Sequence, residues 1–172
     1  MGKRSNLPRR DKDKYYTPLE AVEPLIPHLP EFTHFCDPCC GDGRLIKHLE
    51  FLSVLGASCS YASDISPDEP LVKVDEETYI PLITQDALTL DEDTLQHCDL
   101  ICTNPPYTWD ILKKLLDHLP KLKPTWMLLP ADMMHNKRMA PYMKVCRRVV
   151  SVGRVRWVEG TKSSSTDNFA WY

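Results

Sequence analysis

A chain of 172 residues, 42% hydrophobic and 26% charged, is long enough for one domain with a sizeable core. No apolar run reaches the roughly 20 residues of a membrane span, and no apolar stretch of the secretory kind follows the basic N-terminus, so a cytoplasmic protein is expected. Seven cysteines form no evident disulfide framework, and Cys36-x-x-Cys39 lacks the second ligand pair of a zinc knuckle, so no metal is expected.

Residues 1–14 carry six bases against two acids and read as a flexible basic arm. Residues 15–172 then read as a single domain. A helix is expected over 19–29, made irregular by Pro24 and Pro27, with Thr17 as a candidate N-cap, Pro18 first in the helix and Glu20 third. A strand over 32–37 breaks into a Gly-containing loop. Apolar residues at 45, 46, 49, 52 and 55 have helical spacing, ended by Gly56. Further strands are expected over 58–65, 79–84 and 99–103. Ile111, Leu112, Leu115, Leu116 and Leu119 form a helical stripe before Pro120, and 126–129 reads as a fifth strand. A helix over 133–146, broken near Pro141, precedes a hairpin of 149–158 with 168–172 across a Ser-rich loop. Alternating helix and strand patterns predict an α/β fold with a doubly wound, mainly parallel sheet, whose ligands lie outside the carboxyl ends of the strands.

The net charge of −3 conceals a strong asymmetry. Residues 64–99 hold eleven acids against Lys73, whereas 137–162 hold eight bases against Glu159. A basic C-terminal part and a basic arm suit a phosphate backbone, with the acidic part facing away; plain solvated charge is the alternative.

Two loops at strand ends carry chemistry. The first is Asp37-Pro38-Cys39-Cys40-Gly41-Asp42-Gly43, where glycines let the backbone approach a ligand and the following helix N-terminus favours an anionic group. Position 46 is Ile, so the nicotinamide-type G-x-G-x-x-G spacing is not met. Asp64 ends the second strand 21 residues past Gly43, where a carboxylate can accept two hydrogen bonds from a ribose diol. The second loop is Asn104-Pro105-Pro106-Tyr107. An amide oxygen and a backbone carbonyl, held by a stiff Pro-Pro turn, can accept both N–H groups of a planar amine, with an aromatic ring for its flat face.

Together these loops resemble the S-adenosylmethionine (SAM) dependent methyltransferases that modify exocyclic amines, above all the small phage or prophage type of N6-adenine DNA methyltransferase. The resemblance spans about 15–172. It implies a Rossmann-like SAM methyltransferase fold with a seven-stranded sheet and a C-terminal antiparallel hairpin, SAM as cofactor, and nucleic acid, above all DNA, as partner. It implies that Asn104, Pro105, Pro106 and Tyr107 act on the acceptor and that Asp37, Pro38, Gly41, Gly43 and Asp64, together with Asn104, hold the donor. Asp86 matches the position that binds the adenine of SAM, flanked by Ile65 and Ala87. Tyr16-Thr17-Pro18 resembles a segment closing over the methionine end of the donor, with a simple helix cap as the alternative for Thr17. Phe169, or else Trp171, supplies a second aromatic for the base. No separate target-recognition domain is evident, so base-edge reading is expected from loops at 107–110, 135–138 and 160–168. The competing acceptors are an RNA base (adenine N6 or guanine N2) and a protein glutamine. A non-catalytic SAM-fold binding module is the remaining alternative.

Overall fold

In the central strands of this chain, neighbouring residues belong to opposite layers, as the two-residue period of a strand dictates. A computed structural model describes residues 16–53, 56–157 and 165–172; the expected arm at 1–14 and residues 160–164 of the Ser-rich loop lie outside the described residues. The strands are β1 (His34–Asp37), β2 (Ser58–Asp64), β3 (Leu71–Lys73), β4 (Tyr79–Pro81), β5 (Ile83–Thr84), β6 (Leu100–Thr103), β7 (Thr125–Pro130), β8 (Val150–Arg154) and β9 (Asn168–Trp171). The α-helices are α1 (Leu19–Val22), α2 (Arg44–Leu52), α3 (Trp109–Leu122) and α4 (Ala140–Met143).

Seven strands form one sheet in the order β5-β2-β1-β6-β7-β9-β8. The pairs from β5 to β7 are parallel, and β9 runs antiparallel between β7 and β8. Phe35, Cys102, Leu128 and Trp171 pack with Ala21, Val22, Leu45, Ile46 and Leu49 of α1 and α2 on one face. Cys36, Ile101, Met127 and Leu129 pack with Leu112, Leu115 and Leu119 of α3 on the other. Each of those three leucines is essentially buried, worth about 1.5–3 kcal/mol apiece. Burial on both faces explains why Leu100, Ile101 and Cys102 of β6 are apolar in succession.

Several elements differ from expectation. The run at 79–84 divides: β4 pairs with β3 as a separate hairpin, whereas β5 joins the edge of the main sheet. Pro81 ends the hairpin because it has no N–H to extend a ladder, and Leu82 donates to the Pro70 carbonyl instead. Pro120 lies inside the last turn of α3, where the missing N–H removes a single helical bond. The expected helix over 133–146 is two 3₁₀ turns, Ala131–His135 and Lys137–Met139, followed by α4. Pro141 lies in the first turn of α4 and so starts a helix instead of breaking one.

Candidate active site

Strands β1, β2 and β6 are adjacent and parallel, so Asp37, Asp64 and the Thr103–Asn104 step emerge at one end of the sheet. The two loops picked out in sequence leave the sheet side by side there, and the last residue of β6, just before the second loop, bonds to the first residue of the other: Thr103 Oγ1 donates to Asp37 Oδ1 at 2.8 Å. The same oxygen accepts from the Cys39 N–H at 3.2 Å. Asp37 Oδ2 has no partner among the described residues, although the side chain is fully buried. Burial pushes its carboxyl up to about 7, against the pull of the Thr103 and Cys39 bonds and with help from the nearby charges of Asp64 and Asp42. A buried, unpartnered carboxylate oxygen is where a cationic ligand group would be stabilised.

Asp64 ties the donor-side loop to β2. Its Oδ2 accepts from Gly41 N–H at 3.0 Å and its Oδ1 from Ser66 N–H at 2.8 Å. Each oxygen keeps further acceptor capacity for a diol. The two glycines have different reasons to be there. Gly41 has φ +55°, and a Cβ on it would meet nothing within 4 Å, so its exposed side faces open space. Gly43 has φ +78°, but a Cβ there would lie 2.7 Å from Val72 Cβ. Ligand approach, expected of both glycines, is therefore geometrically available at Gly41, whereas Gly43 is required by packing against β3. Pro38 is buried in the same loop.

Register places the expected adenine-side residues at the same tip: Asp64 pairs with Thr84, and Gln85 N–H donates to the Asp64 carbonyl at 2.9 Å. Ile65 is 67% exposed beyond β2 and Ala87 is buried. Asp86 caps the 3₁₀ turn Ala87–Thr89 through Leu88 N–H at 2.9 Å, a second use for its carboxylate.

Thr17 is not a helix cap. The N-cap of α1 is Pro18, without a side-chain cap bond, and Glu20 accepts from Arg156 N–H at 2.6 Å instead of closing a capping box. The Thr17 hydroxyl is buried against the acceptor loop, where Asn104 Nδ2 donates to it at 3.1 Å. Tyr16 lies under the Arg44 guanidinium, 5.0 Å from the ring centroid. At the other end of the amide, Tyr107 Oη donates to Asn104 Oδ1 at 2.6 Å. Pro105 is buried and Pro106 half-buried.

The aromatic alternatives separate cleanly. Trp171 is fully buried and its indole donates to the Ala21 carbonyl at 2.7 Å, so it belongs to the core. Phe169 lies 6.0 Å from Tyr107 between ring centroids, tilted by 36°, and packs edge-on with Trp157 at 4.9 Å. The loops at 107–110 and 135–138 also come together: Arg138 stacks 4.5 Å above the Trp109 ring, which meets Tyr142 edge-on. Thr103 and the Trp109–Arg138 stack were missed in sequence. A polar residue closing an apolar strand was the available signal for Thr103; the stack joins segments 29 residues apart and left none.

No family model matches the sequence, and no curated protein matches it. Solved structures do. A candidate RNA methyltransferase from Pyrococcus horikoshii matches with a TM-score of 0.58 at 13% identity, over 99% of this chain and 90% of that one. The modification subunit of a candidate type I restriction enzyme from Vibrio vulnificus matches with a TM-score of 0.54 at 15% identity, over 92% of this chain and 44% of that one. This is the Rossmann-like methyltransferase fold. At such identities the likeness establishes the fold alone. Within the methyltransferase fold, the candidate donor and acceptor loops lie side by side at the carboxyl ends of the parallel strands, the expected ligand position. Among the described residues no group of three metal-ligating side chains occurs, and no helix is long and apolar enough to cross a membrane.

Proposed function

We propose that the protein transfers a methyl group from SAM to the N6 amine of adenine in DNA. The observation that carries this reading is the Thr103–Asp37 bond, which ties the end of β6, directly before the acceptor loop, to the donor-side loop at the carboxyl ends of the strands. The residues present fit SAM: Asp37 offers a buried, unpartnered oxygen suited to an ammonium, Gly41 faces open space, and Asp64 retains acceptor capacity for the ribose. When bound, SAM supplies a sulfonium-activated methyl, whose C–S bond breaks with its electron pair staying on sulfur.

Everything else falls to the chain. An exocyclic amine is a weak nucleophile because its lone pair is delocalised into the ring. Asn104 Oδ1 and the Pro105 carbonyl accept its two N–H groups and draw the nitrogen toward a tetrahedral shape. The lone pair then forms the new N–C bond, and the surplus proton leaves to solvent. Orientation and electrostatics do most of this work, without a strong general base. Tyr107 stacks on the base, worth about 1–3 kcal/mol. Phe169 closes the other face once the rings separate, because a sandwiched base needs about 7 Å, twice the ~3.4 Å stacking step, and the rings stand at 6.0 Å. Extruding adenine from a duplex costs a few kcal/mol.

An RNA base is the competing acceptor, favoured by the name of the Pyrococcus protein, of which this chain spans the larger share. Tritiated SAM offered with duplex DNA, single-stranded DNA, RNA and a glutamine-bearing release factor, followed by identification of the labelled nucleoside or residue, decides between them. Label on N6-methyldeoxyadenosine is the expected result. Asn104→Ala should abolish transfer while SAM affinity, read by calorimetry, stays within a few-fold. Normal turnover in that variant would remove Asn104 from the reaction.

A further inference from the structure

We propose that Thr17 is a positioning residue for the acceptor amide: its hydroxyl pins Asn104 with the oxygen turned to where the amine arrives. The inference rests on the acceptor role given above to Asn104. A primary amide has a donor end and an acceptor end of nearly the same shape. Only the oxygen can receive an amine N–H; turned over, the amide would oppose one donor with another.

In the structure both ends are engaged. Asn104 Nδ2 donates to Thr17 Oγ1 at 3.1 Å, and Asn104 Oδ1 accepts from Tyr107 Oη at 2.6 Å. The phenol O–H is a donor, as an amine N–H is, and it occupies the oxygen that the amine must take. A base stacking against Tyr107 moves that ring and exchanges one donor for the other on the same atom. During the exchange the Thr17 bond holds the opposite end, and turning the amide over requires breaking that bond. Thr17 is 4% exposed and 87 residues from Asn104 in sequence, and its hydroxyl caps no helix. Its neighbour Tyr16 packs under Arg44, the first residue of α2, and Arg44 is paired with Asp42 at 2.8 Å. The segment holding Thr17 is thus also anchored on the side of the donor-side loop and α2.

Thr17→Val replaces the hydroxyl with a methyl, and Thr17→Ser keeps it. Transfer is measured in single turnover with saturating nucleic acid and SAM, and SAM dissociation by calorimetry. Thr17→Val should slow transfer about tenfold, the scale of one neutral hydrogen bond. Thr17→Ser should stay within about twofold, and both should bind SAM within about threefold of the unsubstituted protein. If Thr17→Val instead weakens SAM more than tenfold and transfers normally once saturated, the segment contacts the donor and the proposal fails. A readout without turnover is the Asn104 side-chain NH2 in 15N NMR. Slowed exchange with solvent in the unsubstituted protein and in Thr17→Ser, lost in Thr17→Val, supports the contact; fast exchange in the unsubstituted protein overturns it, whether or not Thr17→Val folds. Absence of methylation on every acceptor by the unsubstituted protein would remove the proposed reaction, while the NMR measurement still decides the contact.

Discussion

Asp37 combines full burial, one oxygen bonded twice and one oxygen bonded to nothing described. Its carboxyl rises from 3.8 to about 7, chiefly through burial. A folded value above the unfolded one means that the native state keeps a proton the unfolded chain has already lost. The stability from this group is therefore full below about pH 4 and gone above about pH 7. Asp37→Asn removes the titration, so its melting temperature relative to the unsubstituted protein should rise between about pH 4 and pH 7 and level off above. Thermal melts across that range check this, and a difference independent of pH would mean that the carboxyl is solvated. The chemical identity of Asp37 and Asn104 was legible in sequence because each sits in a short motif whose residue types admit few roles. The partner of Thr17 was not, because a hydrogen bond across 87 residues leaves no local pattern. Its position before Pro18 looked like a cap for local reasons that the fold overrides.

At the scale of elements, short apolar runs bounded by glycines or prolines carried the sheet, since a strand buried on both faces, with Phe35 opposite Cys36 and Leu128 opposite Leu129, is apolar at successive positions. The β3–β4 hairpin was not legible as a separate unit. Its strands have three residues each, too few for a period to show, and its role emerges only where Val72 covers Gly43. That contact predicts unequal glycines. Gly41→Ala meets no atom and suffers only the left-handed backbone, about 1–2 kcal/mol. Gly43→Ala suffers the same strain and drives a Cβ into the branched Val72, so its loss should exceed that of Gly41→Ala by about 1 kcal/mol or more. Urea unfolding midpoints measure both. Val72→Ala takes away the methyls at 2.9 and 3.1 Å but keeps the Cβ at 2.7 Å, so it should recover only part of the loss in the Gly43→Ala background, an interaction seen as non-additivity. Equal losses at the two glycines would show that the hairpin yields freely.

Across the whole molecule, charge follows the sheet. The acidic stretch 64–99 includes β5 at one edge, and the basic stretch 137–162 includes β8 at the other. Six strand spacings, roughly 29 Å, exceed the screening length of about 8 Å at physiological salt, so a polyanion is drawn to one edge without cancellation from the other. The basic stretch itself divides. Arg138 stacks on Trp109, directly after the loop 104–107, with Lys137 beside it in the same 3₁₀ turn, and neither forms an ion pair with the described residues. Arg147 and Arg148 precede β8 and line a groove of about 990 Å³ with Lys121, Lys123 and Trp126; these five residues stand toward the opposite ends of the strands from Asn104, while the groove's wall continues to Tyr142 beside Trp109. Sequence alone treated these cations as one patch, because only strand direction separates them. If the protein grips a nucleic acid across the acceptor loop, Lys137→Ala and Arg138→Ala should each weaken binding and lower the slope of log affinity against log salt by about 1. Arg147→Ala and Arg148→Ala should leave binding and slope unchanged. Fluorescence anisotropy with a labelled oligonucleotide between 50 and 200 mM salt, roughly the range where such slopes are read, separates the two pairs. A larger effect from Arg147 and Arg148 would place the nucleic acid on the far groove, away from the amide that is meant to act on it.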